Sequence, residues 1–265
     1  MAAALTISSW TLGETVDFET RVRIAAEAGY AGVGLRAENY LAARDAGLDD
    51  TAMLTILEQY GVTVREVEYL TGWGTGADRD KEEAIFHMAR LFGAPHMNAG
   101  LLEKPPLDRV TEGFAGLCDR AGELTVGLEF MPYSGVPDLA TAWAVLGDAG
   151  RPNAGLLVDA WHWSRAGMTA ADLAPVPAER VVGIQLSDVG EQPLEPLRRE
   201  SLHHRLPPGQ GFGDVTGMLD ALRDKGVHAP VSVEVISDEL QARGLDVAAA
   251  VCLAAAQKVL GDRRF

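Results

Sequence analysis

Cysteine is nearly absent from this chain, and basic residues and long apolar stretches are also scarce. Among 265 residues only Cys118 and Cys252 occur, which excludes a disulfide framework. No apolar run approaches the ~20 residues that a membrane-spanning helix needs. The 23 basic side chains are outnumbered by 38 acidic ones, so the formal net charge is −15, and such a surface repels polyphosphate. We therefore expect neither a membrane nor a nucleic acid as a partner.

The amino-terminal residues, Met1 to Ile7, lack the basic start and the long apolar stretch of a secretory signal. This predicts a cytoplasmic protein. Hydrophobic residues make up 47% of the chain, which is enough for one large domain with a sizeable core. No linker or low-complexity tract divides residues 1–265, so we expect a single domain.

Short apolar runs rich in β-branched residues alternate with longer amphipathic segments, roughly every 30 residues as in barrel proteins. The predicted strands are Leu5–Ile7, Val33–Leu35, Val62–Val64, Pro95–Asn98, Thr125–Leu128, Gly155–Val158, Val181–Ile184 and Val231–Ile236. The first gap carries Phe18, Val22 and Ala25 at helical spacing, and Gly29 is placed to end that helix.

This alternation predicts an α/β fold, a parallel (β/α)8 TIM barrel. A doubly wound open sheet is the alternative, but no G-x-G-x-x-G loop follows the first strand. The interval before the last strand is longer than the others, and its excess is rich in Pro, Gly, Arg and His. We expect residues 190–213 to form a long loop over the barrel mouth.

Hard oxygen donors stand at the ends of the last four predicted strands. Strand residues alternate inward and outward, and barrel enzymes carry their catalytic groups at the carboxyl ends of strands. By this alternation Glu129, Gln185 and Glu234 point inward, and Asp159 ends the sixth strand. Converging carboxylates repel each other unless a positive charge lies between them. In the alternative, each acid caps a helix or pairs with an arginine. That alternative explains less well why four consecutive strands each end in an oxygen donor.

An all-oxygen donor set without a thiolate suits a hard divalent cation. We therefore expect one divalent metal ion at these four strand ends, Mn²⁺ or Mg²⁺ before Co²⁺ or Zn²⁺.

At these residues the chain resembles the xylose-isomerase-like TIM barrel superfamily, the sugar phosphate isomerase/epimerase family. The matching motifs are Gly127-Leu128-Glu129, Asp159-Ala160-Trp161-His162, Gln185-Leu186-Ser187-Asp188 and Val233-Glu234. The resemblance implies a single metal on Glu129, Asp159, Gln185 and Glu234. It also implies that Glu129 and Glu234 move protons and that His162 contacts the substrate.

The function implied is a metal-dependent isomerase or epimerase that converts a small polyhydroxylated carbonyl compound, a sugar or sugar phosphate, through an enediolate. The alternative is a dehydratase, a lyase that acts on a cyclic keto-polyol such as an inosose or dehydroshikimate. Two departures favour the alternative: Gln185 stands where many relatives carry histidine, and Gly135 stands where ketohexose epimerases carry a further glutamate.

Two other classes are weaker hypotheses. An abasic-site endonuclease would need a histidine-rich metal cluster and a basic face, and the six histidines and the charge of −15 argue against it. A sugar-binding barrel without catalytic activity could carry the same metal ligands. A homo-oligomer is compatible with all of these hypotheses.

Further residues are expected to line the mouth and bind the polyol substrate. Arg36 and Glu68 have inward parity near the ends of the second and third strands, and His96 lies near the end of the fourth. Arg36 suits a carboxylate or phosphate, but it could instead pair with a neighbouring glutamate. Trp10 offers a flat apolar wall. Arg205 belongs either to a lid that closes over the substrate or to a solvated, flexible surface.

Overall fold

The computed structural model describes residues 4–74 and 79–265, and these build a closed parallel barrel in which each strand pairs with its sequence neighbours and β8 pairs with β1. The strands are β1 (Thr6–Ser8), β2 (Gly32–Arg36), β3 (Thr63–Leu70), β4 (His96–Ala99), β5 (Thr125–Glu129), β6 (Ala154–Asp159), β7 (Val181–Leu186) and β8 (Val231–Val233). The predicted (β/α)8 barrel is therefore confirmed.

Helices lie between the strands and around them. They are α1 (Phe18–Ala28), α2 (Ala37–Asp45), α3 (Asp50–Tyr60), α4 (Arg79–Phe92), α5 (Leu107–Ala121), α6 (Leu139–Ala149), α7 (Ala160–Arg165), α8 (Ala170–Leu173), α9 (Leu197–His203), α10 (Val215–Asp224), α11 (Asp238–Ala242) and α12 (Leu245–Leu260). Helix α1 begins where Asp17 accepts a hydrogen bond from the amide of Thr20, and it ends at Gly29, whose φ of 98° is left-handed. Within the described part of the chain, no helix has both the length and the apolar character needed to cross a membrane.

The apolar core lies between the outward face of the strands and the helices. Val33, Leu35, Val126 and Leu128 are fully buried there. The inward face of the barrel is different, because it carries buried polar side chains from several strands. The residues that can take part in a reaction therefore lie inside the barrel, and the apolar residues that stabilise the fold lie between the strands and the helices.

Strand β3 is longer than the sequence predicted. The apolar run that predicts it ends at Val64, and Glu68 was expected near the strand's end; the strand continues to Leu70, and the polar residues Glu66 and Glu68 interrupt the apolar pattern within it. Both pair in register with β2, Glu66 opposite Gly34 and Glu68 opposite Arg36. Strand β8 is shorter than predicted and ends at Val233, although the amide of Glu234 still donates to Leu186 O at 3.0 Å.

Residues 190–213, which we call the mouth segment, are more ordered than a loop. They contain α9, and the amide of Arg205 donates to Ile236 O at 3.0 Å. Next to the segment, the Asp188 carboxylate accepts hydrogen bonds from the amides of Gly211 and Gly213 at 3.0 and 2.8 Å. The expectation of a flexible stretch around Arg205 is thus wrong, since these long-range hydrogen bonds fix it to the barrel.

Candidate active site at the barrel mouth

The four strand-end donors converge at the carboxyl ends of the strands. Glu129 ends β5, Asp159 ends β6, Gln185 lies in β7, and Glu234 directly follows β8. All four are buried, none more than 5% exposed. Asp159 and Gln185 pair in register, and Gln185 Nε2 donates to Glu234 Oε1 at 3.2 Å.

A buried guanidinium lies among these carboxylates. Arg205 Nη1 is 2.8 Å from Asp159 Oδ2 and 3.1 Å from Glu234 Oε2. Its Nε donates to Ser201 O at 2.8 Å, which orients the side chain. Arg205 is only 2% exposed, so it belongs to the interior of the site and not to a solvated surface.

Two of these donors, together with His162, form a cluster that could hold a metal ion. Glu129, Asp159 and His162 each offer a ligand atom, and these atoms lie within 4.8 Å of one another. Glu129 Oε1 and His162 Nδ1 are buried without a hydrogen-bond partner among the described residues. His162 is held beside Asp159 because Asp159 Oδ1 accepts from the amide of His162 at 2.9 Å and so caps α7.

This cluster shares Glu129 and Asp159 with the ligand set that the sequence predicted. It adds His162, which was expected to contact the substrate. The other two expected ligands lie outside this cluster. Glu234, like Asp159, is paired with Arg205, and Gln185 donates its amide hydrogens to carboxylates.

Burial shifts the proton affinities of these groups. It raises the pKa of Glu129 well above the usual range, and the charges of Asp159 and Glu234 add to the effect. Burial also raises the pKa of Glu234 to about 7, although Arg205 opposes the shift. Burial lowers the pKa of His162 to about 3, so its imidazole is neutral at neutral pH. The site therefore holds a neutral histidine and two carboxyl groups with raised pKa values.

A small cavity opens above these groups. Its lining residues are Trp10, Tyr69, Glu129, Met131, Tyr133, His162, Ser201, Leu202, Arg205, Glu234 and Ile236. Its volume is about 40 Å³, well below the roughly 300 Å³ at which small-molecule pockets begin. A sugar-sized molecule can enter only if lining side chains or the mouth segment move.

A larger cleft, of about 640 Å³, lies on the outside of the barrel at α2 and α4. Its polar groups are largely paired with one another, since Asp50 accepts from Tyr40 and contacts His87 and Arg44 at 2.8 to 3.0 Å. The unpartnered acids and the perturbed pKa values are at the barrel mouth, which makes the mouth the candidate active site.

The remaining predicted binding residues are spread over three places. Trp10 lines the cavity, and Arg36 stacks on its ring at 3.6 Å from the centroid. Arg36 also contacts Glu14 and Glu38 at 3.5 and 3.4 Å, and it is not among the residues that line the cavity.

Glu68 and His96 point into the barrel interior. Glu68 accepts from Ser8 Oγ at 2.8 Å, and His96 lies 3.8 Å from the carboxylate of Glu66. Neither is a lining residue of the cavity.

Sequence reasoning missed Tyr69 and Tyr133, which both line the cavity. The inward parity expected for Glu68 would turn Tyr69 outward, but the register between β3 and β4 shifts between Val67 and Leu70, and Tyr69 lines the cavity. Burial raises its pKa well above the usual range, and the charge of Glu129 adds to this. The Tyr133 ring packs edge-on against His162 at 5.7 Å, but it lies in an irregular turn where no periodicity could have indicated its position.

Packing explains why residue 135 is a glycine. A Cβ at this position would lie 2.2 Å from the carbonyl oxygen of Glu103, so no side chain fits without a backbone shift. The additional glutamate that ketohexose epimerases are expected to carry here is therefore incompatible with this backbone.

Comparison with curated proteins finds a dehydratase and an isomerase among the similar sequences. A 3-dehydroshikimate dehydratase from Pseudomonas aeruginosa is 26% identical over 176 residues, 63% of this chain and 27% of that protein. An inosose isomerase from Halalkalibacterium halodurans is 30% identical over 116 residues, 43% of this chain and 40% of that protein. The matches thus span between about a quarter and two fifths of these relatives.

Solved structures share the fold over nearly the whole chain. An IOLI protein with a bound zinc atom has a TM-score of 0.87 at 18% identity and 99% coverage of both chains. A D-allulose 3-epimerase from Methylomonas sp. in complex with D-allulose has a TM-score of 0.72 at 14% identity, with 97% of both chains covered. The family described as xylose isomerase-like TIM barrel matches residues 22–254, and the chain belongs to it.

Proposed function

We propose that the chain is a divalent-metal-dependent isomerase or epimerase of a small polyhydroxylated carbonyl compound, a sugar or sugar phosphate. The observation that carries this is the buried cluster of Glu129, Asp159 and His162 beside a third carboxyl group, Glu234, with a raised pKa. Two proton-transferring groups next to a cation site are what such a reaction requires. The inosose isomerase among the relatives supports the same class.

Glu129 and Asp159 would hold the metal together with His162, or with Gln185 and Glu234 as the sequence predicted. When bound, a divalent ion supplies a Lewis acid that polarises a carbonyl oxygen.

Glu234, with a pKa of about 7, accepts a proton from the carbon beside the carbonyl. Glu129 is the second carboxyl group that can return a proton, and Arg205 offers donors to substrate oxygens. Trp10, Tyr69 and Tyr133 exclude water from this space.

Metal binding is the first test. At Mn²⁺ concentrations of about 100 times Kd, we expect the unfolding midpoint of the chelator-treated protein to rise by about 5–10 °C, because ligand binding stabilises the folded state. Calorimetry should find one ion per chain. Asp159→Asn should weaken that binding strongly, whereas Asp172→Asn, on exposed α8, should not. A wild-type protein that ignores Mn²⁺, Mg²⁺, Co²⁺ and Zn²⁺ would contradict the proposal.

A dehydratase is the second candidate, and the Gly135 backbone favours it. The contact with Glu103 O prevents the additional acid of a free-ketohexose epimerase, and the P. aeruginosa relative carries the name of a dehydratase. A panel of ketoses, inososes and 3-dehydroshikimate with Mn²⁺ separates the candidates. Isomerisation or epimerisation conserves mass and creates no enone, while dehydration removes water and produces new ultraviolet absorbance. Product mass and absorbance together identify which reaction occurs.

A further inference from the structure

One layer below the strand-end donors, the barrel encloses a second group of polar side chains, which we call the inner cluster: Glu66, His96 and Asn98. Asn98 pairs in register with Gly127, two residues before Glu129. Glu66 Oε2 accepts from Asn98 Nδ2 at 2.9 Å and lies 3.8 Å from His96 Nε2. Glu66 is 2% exposed, and no lysine or arginine of the described chain forms an ion pair with it. A carboxylate buried in this way needs an explanation.

The backbone leaves room for this cluster. A Cβ at Gly34 on β2 would lie 2.6 Å from Glu66 Oε1, and a Cβ at Gly183 on β7 would lie 3.0 Å from His96 Nε2. Side chains at these two inward positions would occupy the space that Glu66 and His96 use. The cluster is thus accommodated by glycines on two different strands.

The side-chain amide of Gln185 connects the inner cluster to the candidate active site by hydrogen bonds. Gln185 Nε2 donates to Glu66 Oε2 at 3.4 Å and to Glu234 Oε1 at 3.2 Å. If the amide were flipped, Gln185 Oε1 would face two carboxylate oxygens and would repel both. The two acceptors therefore determine one orientation, in which the NH₂ group lies between the carboxylates and Oε1 is turned away from them.

We propose that Glu66 is a positioning residue, which fixes the amide of Gln185 and through it the carboxylate of Glu234. The inference rests on the proposed function for the roles of Gln185 and Glu234 and adds the residue that orients them. Without an acceptor at position 66, only Glu234 holds the amide of Gln185. One of the two contacts that determine the orientation of this amide is then lost, and the hydrogen bond that holds Glu234 Oε1 is less well fixed.

Two substitutions separate this role from a purely structural one. Glu66→Leu removes the acceptor at similar volume, while Glu66→Gln keeps an oxygen that can accept from Gln185 and Asn98. The side-chain amide resonances of Gln185 in ¹⁵N-labelled protein can be assigned by their loss in Gln185→Leu. We expect hydrogen exchange of this amide to be about tenfold faster or more in Glu66→Leu, because a charge-assisted hydrogen bond is lost. In Glu66→Gln we expect it to stay within about threefold of wild type.

Mn²⁺ affinity is the second measurement. We expect Glu66→Leu to weaken it by about 10–100-fold, as removal of a partner that orients a metal ligand does. In a Gln185→Leu background the same substitution should have little further effect, because Glu66 acts through Gln185. Unchanged amide exchange in Glu66→Leu, or fully additive losses in the double variant, would overturn the proposal. The exchange measurement needs no metal, so absence of Mn²⁺ binding by the wild type would count against the proposed function alone.

Discussion

Replacing Glu234 with glutamine is expected to lower kcat by about 10²–10⁴-fold, the usual contribution of a general base. Glutamine keeps the size of the side chain and a carbonyl oxygen, so contacts with Ser8 and Arg205 can persist. It cannot accept a proton from carbon. Steady-state kinetics on the substrate found in the panel, together with the unfolding midpoint, measure the effect and check that the variant is folded.

The pH profile gives a second readout of the same group. A base works only when it is ionised, and burial raises the pKa of Glu234 to about 7. The ionised fraction therefore falls tenfold for each pH unit below the pKa. Because a bound dication lowers this pKa from its metal-free value of about 7, kcat/KM should fall as the pH drops below a midpoint at or under about 7. This acid limb should be absent from the residual activity of Glu234→Gln. The exposed neighbour Glu239 provides a control, since Glu239→Gln should leave both kcat and the profile unchanged. A Glu234→Gln enzyme that retains more than a third of wild-type kcat would rule out its role as base.

Glu129 and Gln185 could be predicted because each lies in a strand with a clear alternation. In β5 the large residues Val126 and Leu128 must face the helices, which leaves Glu129 pointing inward. The same reasoning places Gln185 in β7. The fold followed from the regular spacing of such strands, which local sequence determines without knowledge of distant contacts.

The rest of the site depends on contacts that have no periodicity. Glu66 and Tyr69 lie in the polar part of β3, where pairing with β2 and β4, and not an apolar pattern, continues the strand. The position of Arg205 depends on hydrogen bonds between the mouth segment and the loop after β8, about 30 residues away in sequence. Tyr133 lies in a turn. Sequence patterns therefore indicated where the acidic side chains lie. Tertiary contacts determine that the guanidinium of Arg205 and the rings of Tyr69 and Tyr133 surround them.

Replacing Arg205 with methionine is expected to destabilise the metal-free protein by about 3–5 kcal/mol, the usual cost of removing one partner of a buried ion pair. Asp159 and Glu234 would lose the guanidinium that lies 2.8 and 3.1 Å from them. At roughly 2–4 °C for each kcal/mol in a chain of this size, the unfolding midpoint should fall by at least about 6 °C. Calorimetry of chelator-treated protein measures this loss. A midpoint within 1 °C of wild type would show that the ion pairs are unimportant for the fold.

A divalent cation should restore much of this loss, because a dication near Asp159 compensates the same negative charge that Arg205 compensates. Arg165→Met is the matched control. Arg165 pairs with Glu200 in the mouth segment and forms no ion pair with a strand-end carboxylate. The Arg165→Met variant should therefore be less stable than wild type, and Mn²⁺ should raise its unfolding midpoint by no more than it raises that of wild type. Arg205→Met should also bind Mn²⁺ more tightly than wild type, since Asp159 Oδ2 no longer has to exchange a guanidinium for the ion. Equal recovery of both variants, or weaker Mn²⁺ binding by Arg205→Met, would mean that the guanidinium and the metal do not compete for the same carboxylates.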